Sequence, residues 1–355
     1  MKSKVYFVPV KDADDIKRVS ERLKALLASS GVMDFIREED KIAVKAHFGE
    51  EGNTGYVRAE YAGVICRDII SRGAKPFLSD TNTLYKGKRT NPKDHLDLAK
   101  SHGFTKEITG CKVIIPDDTN KEDTLDVPVN GKLVKTAKLA RIFVEADGIV
   151  AINHFKGHML SGFGGAIKNI AMGCAMREGK MMQHCDVCPE VNEENCIGCG
   201  ECVKICPANA IIIVSQKANV DGKKCIGCGN CAAVCPTWAM FVFSSSGESV
   251  QKKMVEYAYA ALKGKAKKRA FINFAVKINK ECDCWGMENP RIGPDIGILA
   301  SSDPVSVDRA CFDLVMKTCG KNIFKEAHPE QNSQIQLNYA KALGLGSLEY
   351  ELLEA

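Results

Sequence analysis

Eight of the seventeen cysteines fall into two runs with the same spacing. Each run reads C-x2-C-x2-C-x3-C-P, and the second lies 29 positions after the first. The two runs are Cys196, Cys199, Cys202 and Cys206, then Cys225, Cys228, Cys231 and Cys235. An Ile-Gly pair follows the first cysteine of both runs, at 197–198 and 226–227, so the segment is an internal duplication. This spacing is typical of [4Fe–4S] cluster ligands.

The chemistry of a cubane explains the spacing. Three thiolates two residues apart can each bind one corner of a cluster within a tight loop, and the intervening glycines let backbone N–H groups approach the cluster sulfides. The fourth ligand must come from elsewhere in the chain. An alternative is a pair of four-thiolate zinc sites, although zinc does not need eight interleaved thiolates.

The two runs resemble those of bacterial two-cluster ferredoxins. In those proteins the fourth cysteine of each run, which precedes a proline, binds the cluster of the other run. The resemblance therefore implies that Cys235 completes the cluster held by the first run and that Cys206 completes the cluster held by the second. Two clusters in one small segment would act as an electron wire or store.

Composition narrows the functional classes. The excess of 49 basic over 44 acidic residues is small and gives little reason to expect nucleic acid. No apolar run reaches the length of a membrane span, and the first eleven residues contain no signal region. With so many cysteines and no secretory signal, we expect a soluble, cytoplasmic protein whose thiols are metal ligands, without membrane association.

The flanking sequence alternates strand-like and helix-like stretches, which is typical of an α/β domain. Apolar strands are predicted over residues 5–10, 41–46, 76–79 and 148–153, and again over 270–274 and 295–300. Asp303 and Pro304 predict a helix start, and Gly320 its end. Because these signals occur on both sides, we expect an α/β host domain (1–185 and 246–355) with an inserted small α+β ferredoxin-like domain (186–245).

The whole layout resembles the DUF362 family, many members of which carry a ferredoxin insertion. The resemblance covers nearly the full chain. It rests on the segments 45–50 (KAHFGE), 80–85 (DTNTLY), 153–158 (NHFKGH), 162–169 (GFGGAIKN) and 295–304. It implies an architecture and leaves the activity open.

The segment 153–174 combines histidines, glycines and a lysine after a buried strand, where α/β proteins place their chemistry. We expect His158 and Lys168 to be catalytic, and Lys168 with the glycines to bind a cofactor or an anion, the glycines being Gly162, Gly164 and Gly165. Alternatively the glycines serve only the packing of a tight crossover loop.

This loop is also similar to that of the nickel-pincer lactate racemases. The resemblance implies that His158 is an acid–base group, that Lys168 is the attachment point of a bound organic cofactor, and that His184 is a metal ligand. His47 or His95 would take the place of the racemases' other catalytic histidine.

Nine cysteines lie outside the two runs. Four of them form two close pairs and, together with His184 beside the first pair, could build a third metal site: Cys185, Cys188, Cys282 and Cys284. Their alternatives are free thiols near the clusters or a redox-active pair. The other five have apolar neighbours and are expected to be ordinary buried residues: Cys66, Cys111, Cys174, Cys311 and Cys319.

A polar turn follows the strand predicted at 76–79. Asp80, Asn82 and Tyr85 in this turn, with the nearby cations Lys86, Lys88 and Arg89, could line a pocket for an anion. The alternative is an exposed turn with surface charges.

Three functions are compatible with these sequence features. The first is a redox enzyme, in which clusters charged by a redox partner protein exchange electrons with a host-domain site that acts on a small anionic substrate. The second is a non-catalytic electron carrier, although a ferredoxin needs only about 60 residues. The third is a redox or metal sensor without turnover.

Overall fold

The computed structural model describes residues 2–85, 87–184, 188–226, 229–241 and 246–355. The strands are β1 Ser3–Pro9, β2 Lys41–Lys45, β3 Lys75–Ser79, β4 Val113–Ile114, β5 Thr124–Pro128, β6 Thr136–Ala140, β7 Gly148–His154, β8 Lys156–His158, β9 Gly162–Gly164, β10 Glu190–Val191, β11 Ile211–Val214, β12 Lys217–Val220, β13 Met240–Phe241, β14 Arg269–Ala275, β15 Gly297–Ser301 and β16 Tyr350–Glu354. The helices are α1 Ile16–Ser30, α2 Ala59–Ser71, α3 Pro92–Ser101, α4 Lys106–Thr109, α5 Arg141–Val144, α6 Ala166–Gly173, α7 Arg177–His184, α8 Glu201–Lys204, α9 Asn230–Val234, α10 Gly247–Ala261, α11 Pro304–Cys319, α12 Ile323–Ala327 and α13 Gln334–Ala342.

A large mixed sheet organises the α/β part of the chain, in the order β16-β1-β15-β14-β7-β2-β3-β4. The strands from β14 to β4 are mutually parallel, and β15 pairs antiparallel with both β1 and β14. Strand β7 precedes the cysteine-rich segment, residues 186–245, and pairs directly with β14, which follows that segment. Both flanks of that segment therefore build one sheet, as the α/β prediction requires.

The central strands are buried on both faces. Alternate residues of β2 pack into two different cores: Ile42 and Val44 face α1 and α2, whereas Ala43 faces the side of α6, α10 and α11. Strand β7 is buried along its whole length. Strands that are covered on both faces need continuous apolar runs, which is why these segments are recognisable in the sequence.

The helix predicted at Asp303 is confirmed. The Asp303 carboxylate accepts hydrogen bonds from the amides of Val305 and Ser306, Pro304 occupies the first turn, and Gly320 ends α11 with a positive φ of 67°. The predicted strands of the large sheet are also confirmed, with bounds that differ by at most two residues.

The duplication is visible in the cysteine-rich segment. Helices α8 and α9 begin at equivalent positions of the two copies, and each follows a glycine with a positive φ, Gly200 at 77° and Gly229 at 71°. Each copy continues into a short strand, β11 and β13. This segment also contains two two-stranded antiparallel sheets, β11-β12 and β10-β13.

None of the helices in the described ranges combines the length and apolarity that crossing a bilayer requires.

A buried carboxylate holds the start of α6, the helix that carries Lys168. The residue before α6 is Gly165, which has no side chain to cap the helix. Asp308 of α11 supplies the cap instead and accepts from the amides of Ala166 at 2.7 Å and Ile167 at 3.0 Å. A third bond comes from the Asn273 amide at 2.7 Å. These first two amides are thus already occupied, so they are not available to a bound anion.

We expect Asp308→Ala to lower the free energy of unfolding by about 3 kcal/mol, because it leaves three buried N–H donors without an acceptor. Urea unfolding followed by circular dichroism without oxygen measures this loss.

The matched control is Asp313→Ala on the same helix. Asp313 bonds Arg309 and Tyr350 but is one-third exposed, so its loss should cost about 0.5 kcal/mol. Equal losses in the two variants would contradict the capping role of Asp308.

Candidate functional site

A pocket of about 690 Å³ lies where the parallel strands of the large sheet end. Its walls come from the chain just after β2, β3, β7 and β14, together with α6 and α7. The carboxyl ends of parallel strands are the usual ligand position in open α/β sheets. The pocket is large enough for a small organic molecule.

Several cationic side chains line the pocket. Four are buried and Lys168 is half-buried; the buried four are Lys45, Arg89, Lys156 and Lys180. Three buried carboxylates face them: Glu50, Asp80 and Asp283. The buried charges of the wall therefore have a positive excess, which favours an anionic ligand.

One charge network joins the ends of β2 and β3. Lys45 Nζ lies 3.1 Å from Asp80 Oδ1 and donates to Asn169 at 2.7 Å. Arg89 contacts Asp80 at 3.5 Å and Glu50 at 3.2 Å, and its Nη1 lies 3.0 Å from Nε2 of His47. Burial would raise the pKa of Asp80, but the surrounding cations hold it below its usual value.

A second network fixes the end of β7. His154 Nδ1 lies 2.9 Å from Asp283 Oδ1, and Lys156 Nζ lies 3.4 Å from Asp283 Oδ2. Burial opposes ionisation of Asp283, yet His154 and Lys156 lower the pKa of this carboxyl. Asp283 therefore carries a negative charge that anchors the segment after β14 to the pocket.

His158 has a defined hydrogen-bonding role. Its Nδ1 accepts from the amides of Leu160 and Ser161, both at 3.2 Å. Burial and the neighbouring Lys168 lower the pKa of His158 well below its usual value. A neutral imidazole with an acceptor Nδ1 carries its proton on Nε2, so His158 can donate a hydrogen bond to a bound anion.

Lys168 contacts a pair of thiols. Its Nζ donates to the sulfur of Cys282 at 2.9 Å. Cys282 and Cys284 occupy a tight turn in which the amide of Trp285 donates to the carbonyl of Cys282 at 3.1 Å. A hydrogen bond from the Cys284 side chain holds the pKa of the Cys282 thiol well below its usual value. Burial opposes this shift, and the positive charge of Lys168 reinforces it. The same bond raises the pKa of Cys284.

Lys180 of α7 is the lysine of this pocket that titrates near neutrality. Burial lowers its pKa to about 7, although Asp80 partly opposes the shift. Its Nζ donates to the carbonyl of Ala175 at 2.8 Å and to the hydroxyl of Thr81. At the end of the same helix, burial lowers the pKa of His184 to about 4.

Most residues that the sequence pointed to line this pocket, namely His158, Lys168, His184, His47, Gly165, Asp80, Tyr85, Lys88, Arg89, Cys282 and Cys284. Gly162 and Gly164 serve close packing, since a Cβ there would meet Ser333 at 2.7 Å and Lys168 at 2.8 Å. His95 and Asn82 are buried and bond each other at 3.2 Å, and neither is among the lining residues. Lys86 lies outside the described residues.

Several residues of the pocket wall were not among those predicted from the sequence: Lys45, Glu50, Lys156, Lys180 and Asp283. Lys45 and Lys156 had a recognisable signal, because each lies in or directly after a buried strand of the sheet. Asp283 and Lys180 had none, because their positions depend on contacts between distant segments.

Two smaller cavities lie within the cysteine-rich segment. Four cysteines line the first: Cys196, Cys199, Cys202 and Cys235. Three described cysteines line the second: Cys206, Cys225 and Cys231. Cys228 lies outside the described residues. Each cavity thus combines the first cysteines of one run with the fourth cysteine of the other.

Backbone amides point at several of these sulfurs. Amides donate to Cys206 from Ala210 at 3.3 Å and to Cys235 from Met240 at 3.4 Å, positions equivalent in the two copies to within one residue. Ala218 donates to Cys196 at 3.4 Å. Amide donors to sulfur stabilise thiolates and are usual around iron–sulfur clusters, so the residues fit the group that their spacing implies.

The predicted third metal site stays a prediction. His184, Cys282 and Cys284 share the large pocket, whereas Cys188 lies beside Gly222 in the cysteine-rich segment. Cys185 lies outside the described residues. Across the described ranges, no three histidine, cysteine or carboxylate side chains converge on a single ion position.

The cysteine-rich segment reaches the large pocket. Trp238, three residues after Cys235, lines the pocket and has a φ of 60°. Next to it, the amino end of α9 packs on the host: Arg177 donates to Asn230 at 3.3 Å, and Leu84 lies against Gly229.

A family model described as a domain of unknown function, DUF362, matches residues 42–313. The chain belongs to this family. No curated protein matches it. It is similar to a crystal structure of a Thermotoga maritima structural-genomics target (14% identity, TM-score 0.40, covering 88% of this chain). It is also similar to the lactate racemase apoprotein of Thermoanaerobacterium thermosaccharolyticum (13% identity, TM-score 0.36, covering 72%). This chain spans 60% and 56% of those two chains.

The pKa of Lys180 predicts that the affinity of the pocket for small anions depends on pH. Below about pH 7 Lys180 is a cation beside Lys45, Arg89 and Asp80, and above it the pocket loses that positive charge. We expect the affinity for small anions to fall roughly tenfold between pH 6 and 8.5. Calorimetry with sulfate and oxalate, which keep the same charge over this pH range, measures it.

At both pH 6 and pH 8.5, Lys180→Met should bind these anions with the lower affinity that the wild type shows at pH 8.5. The control, Lys263→Met, removes an exposed lysine outside the pocket and should keep the wild-type pH profile. An unchanged profile in Lys180→Met would contradict the assignment.

Proposed function

We propose that this protein is an iron–sulfur redox protein in which two [4Fe–4S] clusters exchange electrons with the cationic pocket of the α/β domain, where a small anionic substrate reacts. The observation that carries the proposal is the position of Trp238. This residue belongs to the cysteine-rich segment and forms part of the wall of the pocket.

The cysteines that line each small cavity would hold one cluster. The first set is Cys196, Cys199, Cys202 and Cys235, and the second is Cys225, Cys228, Cys231 and Cys206. Each cluster would supply one electron at a time. The grouping of the described cysteines around two cavities and the amide donors to their sulfurs support this assignment.

The pocket residues have separate tasks in this proposal. Arg89 and Lys180 bind the anionic group of the substrate, and the buried Lys45 adds positive charge behind them. His158 donates its Nε2–H to the substrate and stabilises negative charge that develops during the reaction. Trp238 and Trp285 provide apolar wall area that keeps water away from the reacting atoms.

A pure carrier would not need this pocket. Burying four cations beside three carboxylates has a large desolvation cost, and such charges are usually retained where they bind a ligand. The pocket therefore favours an enzyme whose electrons come from, or go to, a redox partner protein.

Protein purified without oxygen should contain about eight iron atoms and about eight acid-labile sulfides per chain. Cys206→Ser and Cys235→Ser should each lose about four irons, because each removes the fourth ligand of one cluster. Iron and sulfide analysis with electron paramagnetic resonance measures both quantities.

Cys319→Ser is the control, since Cys319 is half-buried at the end of α11 and away from both cavities. It should keep all eight irons. Stoichiometric zinc in place of iron, or iron far below eight after reconstitution, would contradict the proposal.

Anion binding and cluster reduction should be linked. Reduction adds negative charge near a pocket that binds anions, so the dithionite-reduced protein should bind oxalate or phosphate roughly threefold to tenfold more weakly than the oxidised protein. Redox titration with and without each anion measures the reciprocal shift in potential.

Lys168→Met should keep the iron content but have a lower anion affinity and a smaller anion-induced shift in reduction potential. Lys263→Met should retain both. Anion affinities that are equal in the two redox states would separate the pocket from the clusters and favour a simple carrier.

A further inference from the structure

The pair Cys282 and Cys284 has a geometry suited to thiol chemistry. One residue separates the two cysteines, and their sulfurs would point apart in an extended strand. Here the turn closed by the bond from Trp285 to Cys282 brings both side chains to the pocket wall. The amide of Cys284 also donates to the sulfur of Cys282 at 3.4 Å.

The surroundings distinguish the two sulfurs. Lys168 places an ammonium 2.9 Å from Cys282, and Lys156 is held nearby by its ion pair with Asp283. A thiolate beside cations is the nucleophilic form of cysteine, and a neighbouring thiol can resolve its adducts. The remaining pocket cations, Lys45, Arg89 and Lys180, attract a negatively charged reactant to the same cavity.

We propose that Cys282 and Cys284 form a dithiol/disulfide pair that reduces a small anionic disulfide in the pocket. The proposal rests on the proposed function for the origin of its electrons, and its chemistry can be tested without them.

The reaction is balanced in two exchange steps. The Cys282 thiolate attacks one sulfur of the substrate RSSR, which forms a mixed disulfide and releases the first RS⁻. Cys284 then gives its proton to the first RS⁻ and attacks the Cys282 sulfur, which releases the second RS⁻ and leaves a Cys282–Cys284 disulfide. Two electrons and one proton restore the starting pair, the Cys282 thiolate and the Cys284 thiol. In the cell a redox partner protein would supply these electrons through the two clusters of the proposed function. In the experiment dithiothreitol supplies them.

The test uses the full chain with its metal content measured, reduced with dithiothreitol and then desalted. Three disulfides of matched chemistry and different charge serve as probes: dianionic 3,3'-dithiodipropionate, neutral bis(2-hydroxyethyl) disulfide and dicationic cystamine. Thiol release gives the rate, and peptide mapping after alkylation locates the new bond. The mapping is required because the sulfurs of Cys66 and Cys111 are also only 3.2 Å apart.

We expect two equivalents of thiol per chain from the dianionic probe and a mapped Cys282–Cys284 bond. Its rate should exceed that of cystamine at least roughly tenfold, and this preference should be smaller in Lys168→Met, which keeps the other pocket cations. Cys284→Ser should trap one probe half on residue 282 and release one equivalent. Cys282→Ser should form neither product, whereas Cys319→Ser should react like the wild type.

Three results would overturn the proposal. The first is that Cys282 and Cys284 stay reduced with all three probes. The second is that cystamine reacts as fast as the dianionic disulfide. The third is that the two thiols are metal ligands, which a loss of zinc or iron in the Cys282→Ser and Cys284→Ser variants would show. Iron and sulfide content are measured on the same samples. Loss of thiol exchange with eight irons intact would therefore refute this inference alone, and exchange without iron would refute only the electron source.

Discussion

The pocket depends on the compensation of buried positive charge. A lysine without solvent or a partner is costly to bury, and Lys45 is fully buried. Its ion pair with Asp80 and its bond to Asn169 join β2, β3 and α6 at one point. Arg89 extends the network to Glu50, and Asp283 compensates Lys156 on the other side. The carboxylates hold the cations in place without neutralising all of them, and the remaining charge determines which ligands the pocket can accept.

The same constraint explains why the segments after β7 and β14 adopt their local structures. His154 and Lys156 both contact Asp283, so the chain after β14 is tied to the chain after β7. Asp283 is the middle residue of Cys282-Asp283-Cys284, and its anchoring fixes the turn that places the Cys282 sulfur against Lys168. Asp308 fixes the other end of this contact, because it holds the start of the helix that carries Lys168. The ammonium–sulfur contact therefore results from two buried carboxylates, Asp283 and Asp308.

Local signals in the sequence were sufficient for the framework. Strands such as β2 and β7 are buried on both faces and read as apolar runs, and Asp303, Pro304 and Gly320 define α11 through interactions with their own neighbours. The duplicated cysteine spacing is equally local. The charge network is different, since Lys45 and Asn169 are 124 positions apart and His154 and Asp283 are 129 apart. No pattern within a window of the sequence encodes such a pair. The turn at Cys282 shows the same limit, because an x-Cys-x-Cys stretch does not reveal whether the backbone is extended.

The proposed chemistry gives a reason for a thiol pair, a cationic pocket and a cysteine-rich segment to lie together. Clusters exchange single electrons, whereas a disulfide bond takes two, and a dithiol converts one kind of transfer into the other. In the proposed reaction a cationic wall would assist at both stages, since it would stabilise the Cys282 thiolate and also the thiolate that leaves the substrate. Lys168 and its neighbours would meet both demands, so the positive excess that attracts an anionic disulfide would also lower the barrier to its reaction.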